Sequence, residues 1–96
     1  MQFFFHPEAQ RELVESVKYY ETQKSGLGRR FLDTVIEAIH RIRTHPLLFR
    51  QIDESIRQCR IPRFPYGLIY RIRNNNIEII AIMHLHRKPG YWKERS

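Results

Sequence analysis

Residues 66–86 read YGLIYRIRNNNIEIIAIMHLH, and the periodicity of this stretch decides the fold. Tyr66, Leu68, Tyr70 and Ile72 alternate with Gly67, Ile69, Arg71 and Arg73. A period of two is the mark of a strand with two unlike faces. Asn74, Asn75 and Asn76 follow, a run suited to a tight turn. Residues 77–86 then form a second, longer strand. Ile77, Ile79, Ala81, Met83 and Leu85 fall on one of its faces, and Ile80, Ile82, His84 and His86 on the other. A strand that is apolar on both faces belongs in the middle of a sheet. Upstream, residues 55–61 give a further strand, ended by Pro62. The C-terminal half is therefore expected to be an antiparallel meander of three strands.

The N-terminal half changes period. Residues 2–5 are short and aromatic and read as a first strand. Pro7 suits the first turn of a helix, and Glu8 its electropositive end. Ala9, Leu13, Val17 and Tyr20 recur at helical spacing until the break at Lys24, Ser25 and Gly26. Ser25 is positioned to cap a second helix, whose stripe is Leu27, Phe31, Val35, Ala38, Ile39 and Ile42 and which Pro46 ends. Two amphipathic helices with a short connection form an antiparallel hairpin. The expectation is an α+β fold of order βααβββ. The helical hairpin packs on one face of a small antiparallel sheet, a short basic tail follows, and residues 1–96 form one domain. The opposite sheet face is expected to stay at least partly open, with arginines projecting from its strands.

Charge is distributed unevenly along this chain. It carries 17 Lys+Arg against 10 Asp+Glu. Residues 1–56 hold eight of each sign and sum to zero, so the whole excess of +7 falls in residues 57–96. Such asymmetry points to a polyanionic partner, either nucleic acid or an acidic protein. A single cysteine, Cys59, excludes an internal disulfide and a multi-cysteine zinc site. With no signal peptide in MQFFFHPEAQ and no apolar run long enough to cross a bilayer, a cytoplasmic protein without membrane contact is expected.

Three groups of residues carry possible chemistry. His84 and His86 lie two apart on a strand, so both imidazoles share a face. Two ligands do not complete a zinc site, and His6, His40, His45 and Cys59 offer no diagnostic third spacing. No metal or other cofactor is expected. Either histidine can serve as a strand-end structural group or as a general acid or base. Arg57, Arg60, Arg63, Arg71 and Arg73 lie on or between two neighbouring strands, and guanidinium forks suit phosphates and carboxylates alike. Beyond the last strand, Arg87, Lys88, Tyr91 and Trp92 either extend that surface or pack back onto the sheet.

Three segments in this order, YYETQKSGLGRRFLDTVIEAIHRI (19–42), RFPYGLIYRI (63–72) and IEIIAIMHLHRKPGYW (77–92), resemble the RelE/ParE toxin superfamily. These are the toxins of bacterial type II toxin–antitoxin pairs, often described as plasmid stabilisation proteins. The resemblance implies a cognate antitoxin that wraps the toxin and contacts operator DNA on its behalf. It also implies one of two targets. In the RelE-like branch the toxin cuts mRNA on the ribosome. Arg60, Arg87, His84, His86 and Tyr91 would then be the catalytic set, with the arginines stabilising phosphate charge and the others moving protons. In the ParE-like branch the toxin inhibits DNA gyrase and cuts no RNA. In either branch the basic C-terminal half is the antitoxin- and target-binding surface, with Arg57, Arg63, Arg71, Arg73, Arg87, Lys88 and Trp92 as its partner- or nucleic-acid-binding residues. The ParE-like branch is favoured. Where the ribonucleases carry Arg after the first Tyr of Tyr-x-Leu-x-Tyr, this chain has Gly67. The strand end from Ala81 to Arg87 and the Tyr-Tyr-Glu and Gly-Leu-Gly segments also resemble ParE. A relative that has lost toxicity and only binds its antitoxin is the third alternative.

Overall fold

A computed structural model describes residues 1–95. The chain runs β1 (Phe3–Phe5), α1 (Pro7–Gln23), α2 (Leu27–Thr44), β2 (Arg50–Asp53), β3 (Ile56–Arg60), β4 (Tyr66–Arg73) and β5 (Asn76–His84). The sheet order is β1-β5-β4-β3-β2, so β5 is interior, as its two apolar faces require. β2 to β5 form an antiparallel meander, and β1 joins the other side of β5 in parallel. The α+β class and the helical hairpin are as expected.

The sheet has five strands rather than four. Arg50–Asp53 is an additional edge strand, too short and polar to display a period, with an irregularity between Gln51 and Asp53. A two-residue turn at Asn74 and Asn75 joins β4 to β5. Both residues have positive φ (53° and 64°), which asparagine tolerates better than most residues and which matches the twist of a hairpin. Asn76 already belongs to β5.

Inside β5 the strict alternation fails. Ile69 pairs with Ala81 and Tyr70 with Ile79, leaving Ile80 as an extra residue. This bulge turns the strand over by one residue. Ile77 and Ile79 face the helices, and beyond the bulge so does Ile82. Ile80, Ala81 and Met83 face the other way with Leu85. The face expected for Ala81, Met83 and Leu85 is corrected accordingly, as is the strand end, which comes at His84 rather than His86.

The helix-side core gathers Ala9, Phe31, Val35, Ala38 and Ile42 against Leu68, Tyr70, Ile77 and Ile79. α1 begins at Pro7 with the His6 imidazole accepting from the Glu8 amide. The start of α2 is capped differently from expectation. Gly26 at φ +88° is its N-cap, and the Glu21 carboxylate accepts from the amides of Gly26 and Gly28 in place of Ser25. Gly28 lets the helices meet closely, since a Cβ there would sit 2.6 Å from the Val17 carbonyl oxygen. Among the described residues no helix is long and apolar enough to cross a membrane.

Candidate partner-binding and target-binding surface

The sheet face away from the helices is only partly open, because the C-terminal segment folds across it. Trp92 is 2% exposed and packs with Ile69, Ile80, Ala81 and Met83. Its ring belongs to a second core and is not displayed to a partner. The segment is tied to α1 by Glu12. Arg95 donates through Nη1 and Nη2 to the two carboxylate oxygens, both at 2.9 Å. Glu12 also accepts from the Ile82 amide at 3.0 Å, and Arg95 donates to the Ile80 carbonyl at 2.9 Å. β1 ends at Phe5, so this stretch of the β5 edge has no strand beside it. A carboxylate and a guanidinium take the strand's place, protecting an edge that would otherwise invite pairing.

Tyr91 lies between two cations, with the Arg87 guanidinium 3.6 Å and that of Arg95 5.0 Å from its ring centre. Arg87 also reaches Glu12 at 3.7 Å. The Tyr91 hydroxyl is buried beside that carboxylate but forms no hydrogen bond among the described residues. Burial, reinforced by the charge of Glu12, holds it well above the ordinary phenol range. A phenol so placed is a poor proton donor at neutral pH and a poor surface contact.

The two histidines do come together. Their rings are 5.1 Å apart, and the His84 ring is 5.0 Å from that of Tyr66. His84 Nδ1 accepts from the backbone amide of His86, and the His84 carbonyl accepts from the Arg87 amide, so His84 organises the turn that leaves the sheet. No cluster of three or more metal-ligating side chains exists among the described residues.

The arginines divide into committed and free groups. Arg57 faces the helix side opposite Tyr70 and donates to the carbonyls of Leu47 (3.2 Å) and Phe49 (2.8 Å). Arg71 and Arg73 share the buried carboxylate of Glu78, at 2.6 Å and 3.6 Å. These three are spoken for within the chain. Arg60, Arg63 and Lys88 are exposed and make no ion pair among the described residues. Arg63, at φ 73°, lines a cleft of about 610 Å³ with Tyr20, Arg30, Asp33 and Phe64. At Gly67 there is no cation. The Gln58 side chain lies over the glycine, and a Cβ there would come within 3.2 Å of it.

The sequence alone did not single out Glu12, Arg95 or Gln58. Their partners are distant along the chain, Glu12 and Arg95 being 83 residues apart, and no local pattern announces such a pair.

The family profile described as ParE toxin of type II toxin-antitoxin system, parDE, matches residues 3–89. The chain belongs to the ParE toxin family. Among solved structures, a protein of the chromosomal ParDE TA system from P. aeruginosa is similar in fold, with a TM-score of 0.65 at 14% identity. That similarity covers 90% of this chain and 97% of the other. No curated protein matches the chain. As a ParE-family member the chain is a type II toxin by family, and its fold is that of the superfamily recognised from its three segments.

Proposed function

We propose that this chain inhibits DNA gyrase by protein–protein contact and is neutralised by a cognate antitoxin. The observation that carries the proposal is that three of the five catalytic candidates, Arg87, Tyr91 and His84, are engaged within the chain, while Arg60 and His86 are exposed. Arg87 and Tyr91 form the clamp around Glu12, with the Tyr91 hydroxyl buried. His84 caps the turn after β5. Gly67, overlaid by Gln58, supplies no phosphate cation. Acid–base work on RNA needs a proton carrier within reach of substrate and a preorganised cation for the developing charge. A buried phenol and a stacked, paired guanidinium serve as structure instead. Binding without chemistry needs only an accessible surface, and Arg60, Arg63 and Lys88 provide a cationic one.

Gyrase as target places this activity in the cytoplasm. A cognate antitoxin with acidic or amphipathic segments suits the basic C-terminal half, which holds all of the net positive charge. Arg60, Arg63 and Lys88 are the residues to probe for that contact. Arg57 and Arg71 are poor probes, because reversing either would break an internal contact first.

The test is to pulse-label DNA and protein synthesis in parallel after brief induction of the chain without its antitoxin. Gyrase inhibition stops DNA synthesis first. If protein synthesis fails first and new mRNA 5′ ends accumulate, the toxin is a ribonuclease and this proposal is wrong. Normal synthesis of both would point to a non-toxic antitoxin binder.

A further inference from the structure

A cleft of about 420 Å³ opens on the sheet face away from the helices, between the edge strands and the C-terminal segment. Its walls include Arg50, Gln58, Met83, Pro89, Trp92 and Lys93. Pairing sets Arg50 directly opposite Gln58, so both side chains rise from the same face. The irregularity between Gln51 and Asp53 lets Ile52 and Asp53 both reach the cleft. On the other side, Gly90 at φ +92° makes the turn before Trp92 and leaves room for the Lys93 stem to pass.

One wall carries a donor without an acceptor. Trp92 is almost wholly buried, and its Nε1 has no hydrogen-bond partner among the described residues. An indole N–H can only donate. The side chains packed with the ring, Ile69, Ile80, Ala81 and Met83, supply no oxygen. Buried polar groups are nearly always paired, so the missing acceptor belongs in the cleft that Trp92 lines. The Arg50 guanidinium stands at the same cleft and makes no ion pair among the described residues.

Charge and size narrow the occupant. Asp53 is the one acid among the described residues that line the cleft, and Lys93 meets it at 3.6 Å, which leaves Arg50 unmatched. Arg60 stands two residues beyond Gln58 on the same face of β3, so a second unmatched cation borders the site. Two free guanidinium groups suit the double charge and several oxygens of a phosphate monoester better than a lone carboxylate. A bare phosphate is far smaller than the cleft. Ile52, Met83 and Pro89 offer apolar contact to whatever carries it, and the Gln58 amide and the Trp92 N–H can fix its orientation, the pattern of a small-ligand site.

We infer that this cleft binds a small phosphorylated ligand of mononucleotide size, with its phosphate on Arg50 and the remainder against Gln58, Met83 and Trp92. The site stands independently of the toxin proposal above. Its walls come from β2, β3, β5 and the C-terminal segment, so an occupant ties that segment to the sheet on the side away from the Glu12 clamp.

The test titrates the purified full chain with AMP while following melting and the emission of Trp92, the sole tryptophan. Adenosine, inorganic phosphate and glutamate run in parallel. Expected is saturable AMP binding that changes Trp92 emission and, at about ten times its dissociation constant, raises Tm by roughly 6–11 °C. Phosphate should compete with AMP, while adenosine and glutamate should bind more weakly by about tenfold or more. Arg50→Gln, at an exposed position, should fold normally and weaken AMP by a similar factor. Asp53→Asn keeps an acceptor for the Glu54 amide but removes the repelling charge, so it should strengthen AMP binding several-fold. Trp92→Phe keeps a ring and loses the N–H, and calorimetry should show weaker AMP binding with phosphate binding unchanged. No response to AMP at millimolar concentration overturns the inference, as does glutamate binding equal to AMP, or wild-type AMP affinity in Arg50→Gln. A single-stranded oligonucleotide that binds over about tenfold tighter per site than AMP would assign the cleft to a nucleic-acid strand and overturn it also. Each arm uses the chain without gyrase or antitoxin, so failure here leaves the gyrase proposal standing.

Discussion

Replacing Glu12 by Ala should detach the C-terminal segment. The carboxylate is 15% exposed and its partner Arg95 14%, so the pair is largely withdrawn from water. Removing one member of a buried ion pair costs about 3–5 kcal/mol when the other charge is trapped. Arg95 is not trapped, since its long side chain can turn its head into solvent once the carboxylate is gone, so the lower end applies. The Ile82 amide loses its acceptor as well, about 1 kcal/mol at an edge that water can reach. A loss of about 4 kcal/mol follows, which for a domain of this size lowers Tm by roughly 16–32 °C. The assay is urea and thermal melting followed by fluorescence of Trp92, the sole tryptophan. Trp92 sits in the segment being released, so its emission should shift to the red below the main transition. Arg87→Ala is the control. Its side chain is 55% exposed, and its salt bridge and stacking together are worth about 1 kcal/mol or less. If Glu12→Ala melts within about 0.5 kcal/mol of wild type, near the scatter of ordinary surface changes, with unshifted emission, the clamp is not what holds the segment.

Alkaline pH should weaken the fold. Burial pushes the Tyr70 hydroxyl up to about 12, and it raises Cys59, Tyr20 and Tyr91 as well. A group whose folded pKa is raised gives its stability below the unfolded value and loses it as pH climbs toward the folded one. Urea midpoints should therefore hold through neutral pH and fall from about pH 9, the free-thiol range, to pH 12, with Tyr70 alone accounting for about 2–3 kcal/mol across its window. A midpoint unchanged between pH 8 and 11.5 would contradict this. Gly28→Ala should destabilise by about 1–3 kcal/mol, because its Cβ meets the Val17 carbonyl, which is backbone and cannot swing aside; an unchanged melt would show that the helices can part at no cost. Gly67→Arg should not create RNA cleavage, since the new side chain must first displace Gln58. Fresh cleavage sites in mRNA after its induction would reopen the ribonuclease alternative.

What the sequence displayed was local periodicity, and its failures are equally local. Leu68, Tyr70 and Ile77 announced the sheet, and Phe31, Val35 and Ile42 the helix that covers it, because each repeats at a fixed step. Ile80 broke the step with one extra residue, which apolar neighbours on both sides concealed, so every face after it was assigned inverted. Arg50–Asp53 had no apolar alternation to show and became a strand through pairing with β3. The candidate site was less legible than the fold. Arg57, Arg71 and Arg73 read as available cations, yet Glu78 and two loop carbonyls hold them, and of the two readings left open for Trp92 its buried ring supports packing onto the sheet. Long-range partners such as Glu12 and Arg95 leave no trace in any window of sequence.

The measurement that bears most directly on the account is gyrase supercoiling with purified toxin, freed from its antitoxin, titrated against relaxed plasmid. The account predicts inhibition that rises with toxin, is reversed by added antitoxin, and survives replacement of His86 by Ala. Full supercoiling at large molar excess of a folded chain that still arrests growth would contradict it.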